Sequence, residues 1–320
     1  MHIPVLLHAL LDGLGPLQGK EIFDGTFGAG GYSRAFLEAG AAKVMACDQD
    51  GHVKSIAACL ADEFSGRLEF YQRNFADVQE FISGELDVMV VDLGVSSMQL
   101  DQAGRGFSFQ KDGPLDMRMG QKGSSAADLV NHLPAEELAD ILYRFGEERA
   151  SRRIAAAIVK RREQIPLERT LELAELVATV VRGRPGHHPA TRTFQALRIA
   201  VNGEFDALQN FLIASQAKLR PGGILAVVSF HSLEDRLVKT FLTASASRQA
   251  GTSRYQPDVQ RAEPAFELMS KAIKPKADEL QANPRARSAI LRLAKRTKSP
   301  CLVQPTPLHE ALKGHWRVAA

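Results

Sequence analysis

The chain has 320 residues, 45% of them apolar and 24% charged, with a formal net charge of +3. That length can bury a full core in one or two globular domains, and so small a charge does not by itself announce a nucleic-acid partner. No apolar run has the length of a membrane span, the Met1-His2-Ile3-Pro4 start lacks a signal-peptide layout, and Cys47, Cys59 and Cys301 form no CxxC pair, so a disulfide framework and a metal site are not expected and a cytoplasmic setting is.

A helix is expected around Val5–Leu11, followed by a short strand at Ile22-Phe23. The strand ends in Asp24 and a glycine-rich turn, Gly25-Thr26-Phe27-Gly28-Ala29-Gly30-Gly31, and then a helix over Tyr32–Ala39. An α/β sheet holds an adenosine-bearing cofactor in this way, because glycines adopt positive φ and let a ligand approach the backbone. The dinucleotide fingerprint G-x-G-x-x-G would place a third glycine where Ser33 stands. Asp24 would repel a pyrophosphate but suits a cationic ligand with an α-amino group or a sulfonium. The turn therefore points to S-adenosylmethionine (SAM) rather than NAD.

Three more strands are expected in quick succession: Lys43–Cys47 ending in Asp48, Leu68–Tyr71 ending near Phe75, and Leu86–Val91 ending in Asp92. A fifth, Ile224–Ser229, comes only after Pro221-Gly222-Gly223, and possible strands at Phe266–Lys271 and Ser288–Leu293 close the series. Short apolar runs alternating with helices argue for βαβ units and a mostly parallel sheet. The interval between strands four and five exceeds a hundred residues, too long for one crossover. It reads as helical over Gly146–Glu163 and Leu171–Val181, the latter closed by Gly183 and Pro185, with a third stripe from Phe194 through Leu197, Val201, Phe205 and Leu208 to Leu212. The expected organisation is a discontinuous core of residues 1–104 and 214–298, an inserted helical subdomain 105–213 and a tail 299–320. The most linker-like segment is Thr243–Pro264. Between Lys271 and Lys298 nine Lys and Arg face two acids, a block that suits either phosphates or a solvated face.

Asp24, Asp48 and Asp92 all fall at strand ends, where open α/β sheets bind ligands. Asp48 can accept both hydroxyls of a ribose diol, or cap the helix that Gln49-Asp50-Gly51 introduces. Phe75 can close a flat slot for an adenine, or pack in the core. Asp92 heads the polar run Leu93-Gly94-Val95-Ser96-Ser97-Met98-Gln99, which reads as site lining or as a capped turn. The irregular stretch from Arg105 to Met119 offers Phe107 and Phe109 for stacking on a base or for anchoring the loop. His231, in Ser229-Phe230-His231-Ser232, has no nucleophile elbow around it and reads as a structural group as readily as a catalytic one. His187-His188 lacks a third ligand at metal spacing.

Taken together, these segments resemble the bacterial 16S rRNA cytosine-N4 methyltransferase family of the MraW/RsmH type. The matching blocks include Asp24–Gly31, Asp92–Ser97, Arg105–Phe109, Asp112–Met119, Tyr143–Arg149, His188–Arg198, Ser229–Arg236 and Asn283–Ser288, in family order over nearly the whole chain. The resemblance implies a class I SAM-dependent methyltransferase, Rossmann-like with a mostly parallel seven-stranded sheet and an α-helical insertion for substrate recognition. It implies methyl transfer to N4 of one cytosine in the decoding region of 16S rRNA; the spread of basic residues over insertion and tail favours the assembled small ribosomal subunit as substrate, and no membrane partner is expected. The family's SAM contacts fall on Gly30, Gly31, Tyr32, Asp48, Phe75, Asp92 and Gln99. Tyr32 stands where the family usually has His. Asp92, Asp116 and His231 are the candidate catalytic residues. Arg149, Arg152, Arg153, Arg192, Arg198, Arg285 and Arg287 are the candidates for phosphate contacts. The sequence leaves the oligomeric state open, a dimer included.

Other readings are weaker. DNA amino-methyltransferases carry Pro-Pro-aromatic where this chain has Leu93-Gly94-Val95, and a noncatalytic assembly factor has no use for Asp48 and Asp92. Asp24 and Ser33 disfavour an NAD oxidoreductase.

Overall fold

A computed structural model describes residues 4–120, 122–183, 186, 188–246 and 264–299. The strands are β1 (Glu21–Asp24), β2 (Lys43–Cys47), β3 (Leu68–Tyr71), β4 (Leu86–Asp92), β5 (Leu219–Ser229), β6 (Phe266–Leu268) and β7 (Ile290–Arg296). The helices are α1 (Leu7–Leu14), α2 (Gly31–Glu38), α3 (Lys54–Glu63), α4 (Val78–Phe81), α5 (Ser97–Asp101), α6 (Ala126–His132), α7 (Ala135–Gly146), α8 (Ser151–Arg162), α9 (Thr170–Val180), α10 (Thr191–Asn202), α11 (Glu204–Lys218), α12 (Ser232–Ala246) and α13 (Ala277–Ala282). No described helix is long and apolar enough to cross a membrane.

The strands form one sheet in the order β3-β2-β1-β4-β5-β7-β6. β3 through β5 run parallel, and β7 is antiparallel to both its neighbours. Val88-Met89-Val90-Val91 is buried without a break, as a parallel strand covered on both faces must be. The strand order reverses between β1 and β4, so the carboxyl ends of these two strands open the crevice where such sheets bind ligands.

The chain divides into two compact units, Met1–Gly94 with Phe205–Ala320, and Val95–Glu204. The first holds the sheet. The second has its own core, in which Leu115, Met117, Leu142, Ile154 and Leu197 are fully buried.

Several element ends differ from the sequence reading. The apolar stripe from Phe194 to Leu212 is two helices, because Gly203 takes a left-handed φ of 58° after α10 and donates its N–H to Ile199. The stripe's periodicity survives the break, so hydrophobic spacing alone conceals it. The expected helix at Gly146–Glu163 starts only at Ser151; Glu147 at φ 50° ends α7 just before it. β5 begins at Leu219 rather than after the glycines. Its register with β4 shifts between Leu86 and Val88, so the Pro221-Gly222-Gly223 segment is a bulge inside the strand, with Gly222 at φ 89°. The last strand starts at Ile290, since Pro284–Ser288 forms a tight helical turn. Thr243–Ala246 completes α12 and is not linker; residues 247–263, Pro185, His187 and the tail from 300 lie outside the described residues.

Candidate active site

The glycine turn joins β1 to α2. Gly28 and Gly30 both adopt left-handed φ, 52° and 78°, and a side chain at Gly30 would meet the Phe27 ring at 2.8 Å. Gly30 caps α2, and Gly31 and Tyr32 are its first two residues. The N–H groups of a helix's first turn have no carbonyl one turn back, so they are donors for whatever lies beyond the turn. The side chain of Tyr32 does not face that space. It is buried, stacks on Phe36 and gives its hydroxyl to the carbonyl of Val5. Any ligand contact of Tyr32 therefore falls to its backbone.

Asp24 is fully buried at the end of β1. Its carboxylate accepts the Thr26 N–H at 3.2 Å and the Ser33 hydroxyl at 2.7 Å. Ser33, which breaks the dinucleotide pattern, is thus the residue that satisfies this acid. Burial pushes the Asp24 pKa from 3.8 to about 6 against those hydrogen bonds, and Asp48 adds to the rise. Asp92 closes β4, and its N–H donates to the Thr26 hydroxyl at 2.7 Å, joining the two strand ends. Asp92 Oδ1 is buried with no hydrogen-bond partner among the described residues. Burial raises its pKa well above the usual range, with Asp24 and Glu234 as neighbouring like charges. Among the described residues neither Asp24 nor Asp92 is paired with a Lys or Arg. Two buried acids without a counter-ion make a site suited to a cation.

Asp48 follows β2. One carboxylate oxygen accepts the Gly28 N–H at 2.8 Å and the other the Asp50 N–H at 2.9 Å. The helical cap proposed for it belongs to Asp50, whose side chain accepts the His52 N–H. Phe75 is half-buried past β3, edge-on to Phe211 at 5.6 Å, with its Cβ 2.9 Å from where a side chain on Gly25 would begin. The structure thus gathers Asp24, Gly30, Gly31, Tyr32, Asp48, Phe75 and Asp92 around the carboxyl ends of β1, β2 and β4 in one unit.

The other candidates have side chains engaged locally, although His231 Nε2 is buried 2.9 Å from Glu234 Oε1 without a hydrogen bond among the described residues. His231 precedes α12; its Nδ1 accepts the Glu234 N–H, while Glu234 Oε2 accepts the N–H groups of Phe230 and His231. This is the reciprocal logic of a capping box, and an acid three residues after a polar cap is its signal in the sequence. Gln99, in the other unit, closes a similar box with Ser96, each side chain taking the other's N–H. Asp116, also there, accepts three hydrogen bonds from Arg118, and that guanidinium holds its carboxyl below the usual range. Asn202, which nothing in the sequence singled out, orders the end of this loop. It accepts the Met119 N–H and donates to the carbonyl of Met117, which is itself buried at φ 63°. Phe107 lies in the core of this unit, and Phe109 packs on Phe194 and His188.

Among the basic candidates, Arg198 forms a two-pronged pair with Glu204, Arg192 holds the Glu147 carbonyl and Arg153 that of Val180. Arg149 and Arg152 are exposed. In the C-terminal basic block, Arg292 pairs with Asp235, and Arg296 is buried, holding the carbonyls of Gln216 and Ala265. The other seven of the nine, Arg285 and Arg287 among them, are exposed.

The strand order, the glycine turn after β1 and the acids closing β1, β2 and β4 define a class I methyltransferase core, whose methyl donor is SAM. The unpartnered Asp92 oxygen and the open first turn of α2 fit a donor that carries both a cation and hydrogen-bonding groups. Residues 1–297 match the MraW methylase family, and the chain belongs to it. It is 55% identical over 302 residues to the ribosomal RNA small subunit methyltransferase H of Cereibacter sphaeroides (strain ATCC 17029), covering 93% of this chain and 91% of that one. The protein of the same name from Ruegeria sp. is 54% identical over 299 residues, covering 92% and 90%. Among solved structures, an rRNA methylase from Streptococcus thermophilus is similar at a TM-score of 0.43 and 10% identity, covering 93% of this chain and all of that one.

Proposed function

We propose that this chain transfers a methyl group from SAM to the exocyclic N4 amine of one cytosine in the decoding region of 16S rRNA. The substrate is the small ribosomal subunit, and the setting is the cytoplasm. Family membership and the names of the relatives support the rRNA substrate. The observation that carries the chemistry is the fully buried Asp24 beside Asp92, whose Oδ1 is buried, acids at adjoining strand ends without a cationic partner among the described residues.

When bound, SAM supplies an electrophilic methyl on a sulfonium. Gly30, Gly31 and Tyr32 would hold it by backbone N–H groups, Asp48 by the ribose, and Phe75 by a flat face against the adenine. Asp92 would complete these contacts. Methyl transfer is an in-line displacement, so most of the rate comes from alignment. A cytosine amine is a weak nucleophile because its lone pair is delocalised into the ring. Asp92 Oδ1 can accept one of its N–H groups and so localise that pair. The raised proton affinity of Asp92 then suits it to receive the amine proton. Asp116 orders the loop from Arg105 to Met119 through Arg118, and His231 fixes the start of α12. The core carries the chemistry; the unit Val95–Glu204 selects the RNA, with Arg149 and Arg152 on phosphates.

The test is transfer of tritiated methyl from SAM to 16S rRNA in small subunits from cells lacking the enzyme. Label should map to one cytosine, and Asp92→Ala should abolish it. Folded, SAM-binding protein that transfers no label would overturn the reading.

A further inference from the structure

The N-terminal segment that leads into α1 is held by three contacts, two to the first turn of α2 and one to α13. The ring of Pro4 lies where a Cβ on Gly31 would stand, 2.3 Å from its Cγ, so only glycine lets the segment come this close. The carbonyl of Val5 accepts the hydroxyl of Tyr32, the second residue of α2. The N–H of Leu6 donates to Glu279 Oε1 at 2.6 Å, reaching across to α13. Leu6 itself sits at φ 56° and ψ 22°, left-handed backbone that a leucine keeps only where its surroundings hold it. Its side chain is fully buried, and α1 has no side-chain cap of its own, so the Glu279 carboxylate does that work from a distance.

The position of this segment bears on the donor site. Tyr32 stands in the first turn of α2, whose N–H groups the SAM reading assigns to the donor, and its side chain holds the segment. Ser33, the next residue of α2, donates its hydroxyl to Asp24 at 2.7 Å, so the latch adjoins an acid of the site. We propose that Glu279 and Tyr32 are positioning residues for methyl-donor binding: together they latch residues 4–6 onto the start of α2 and fix the N–H groups that receive the donor. The proposal rests on the reading of this site as one for SAM.

The experiment compares the full-length wild type with Glu279→Ala, Glu279→Gln, Tyr32→Phe and the double variant Glu279→Ala/Tyr32→Phe. It measures SAM affinity by calorimetry, and kcat, KM for SAM and KM for small subunits in the transfer assay. Glu279→Ala and Tyr32→Phe should each weaken SAM about tenfold, with KM for the subunit and kcat at saturating SAM within about twofold of wild type. Glu279→Gln keeps an acceptor oxygen for Leu6 and should bind SAM like the wild type. The double variant should be little worse than either single one, since both release the same segment. SAM affinity unchanged in Glu279→Ala and Tyr32→Phe would overturn the proposal. So would a Glu279→Ala loss that falls equally on SAM and subunit KM and tracks only a lower Tm. Failure of the wild type to bind SAM would instead overturn the assignment of the site.

Discussion

Asp48 accepts the backbone N–H of Gly28 at 2.8 Å, so the acid expected to hold a ribose also holds the glycine turn. Its second oxygen faces the N–H of Asp50 at 2.9 Å. In Asp48→Asn the amide must point its NH2 at one of those two donors. The variant should lose about 1–3 kcal/mol of stability and bind SAM at least about tenfold more weakly. A thermal melt and a calorimetric titration on the same preparation check both.

The buried acids predict a pH dependence. A folded pKa of about 6 for Asp24 lies above its ordinary 3.8. The stability this group contributes is therefore full below its unfolded pKa and is lost as pH rises through about 6. A cationic donor prefers the ionised acid, so its affinity should change in the opposite sense. SAM should bind up to about tenfold more weakly near pH 5 than near pH 7.5, and should raise Tm less there.

Replacing Asp92 separates chemistry from folding. In Asp92→Ala, kcat should fall by about a hundredfold or more. Tm should hold or rise, because a buried charge beside Asp24 and Glu234 is removed. Single-turnover transfer and a melt of the unliganded protein give the two readings.

Two glycines make an internal comparison. Gly30→Ala forces a side chain onto φ 78° and against Phe27, and should cost about 1–2 kcal/mol together with SAM affinity. Gly104, with negative φ and open space around it, should accept Ala at no cost. Denaturant melts of both variants suffice.

The arginines should divide by what they already hold. Arg152→Ala should weaken subunit binding and lower its salt slope by about 1 without loss of stability. Arg198→Ala removes the partner of a largely buried Glu204 and should cost about 3 kcal/mol. Binding at several salt concentrations, set beside melts, distinguishes them.

Much of this was legible before folding because the signals are local. The turn after Ile22-Phe23, the acids at strand ends and the alternation of strands and helices each lie within a dozen residues of chain. The preference for a cationic cofactor over a pyrophosphate comes from two adjacent facts, Asp24 before the glycines and Ser33 in place of the last one. What stayed hidden depends on partners far apart along the chain. Whether Asp48 caps a helix or holds the turn depends on Gly28, twenty residues back. The commitments of Arg198 to Glu204 and of Arg296 to carbonyl groups cannot be told from free basic residues by composition. Gly203 breaks a stripe whose spacing continues through it.

The class of fold, the cofactor's charge and the acids at the strand ends follow from residue order, since strand ends and turns are written in short segments. The pairing of those acids follows only from the folded chain. Packing β1 beside β4 brings Asp24 and Asp92 together with no counter-charge among the described residues, and desolvation, a property of the surroundings and not of the residue, raises the proton affinity of two ordinary carboxylates.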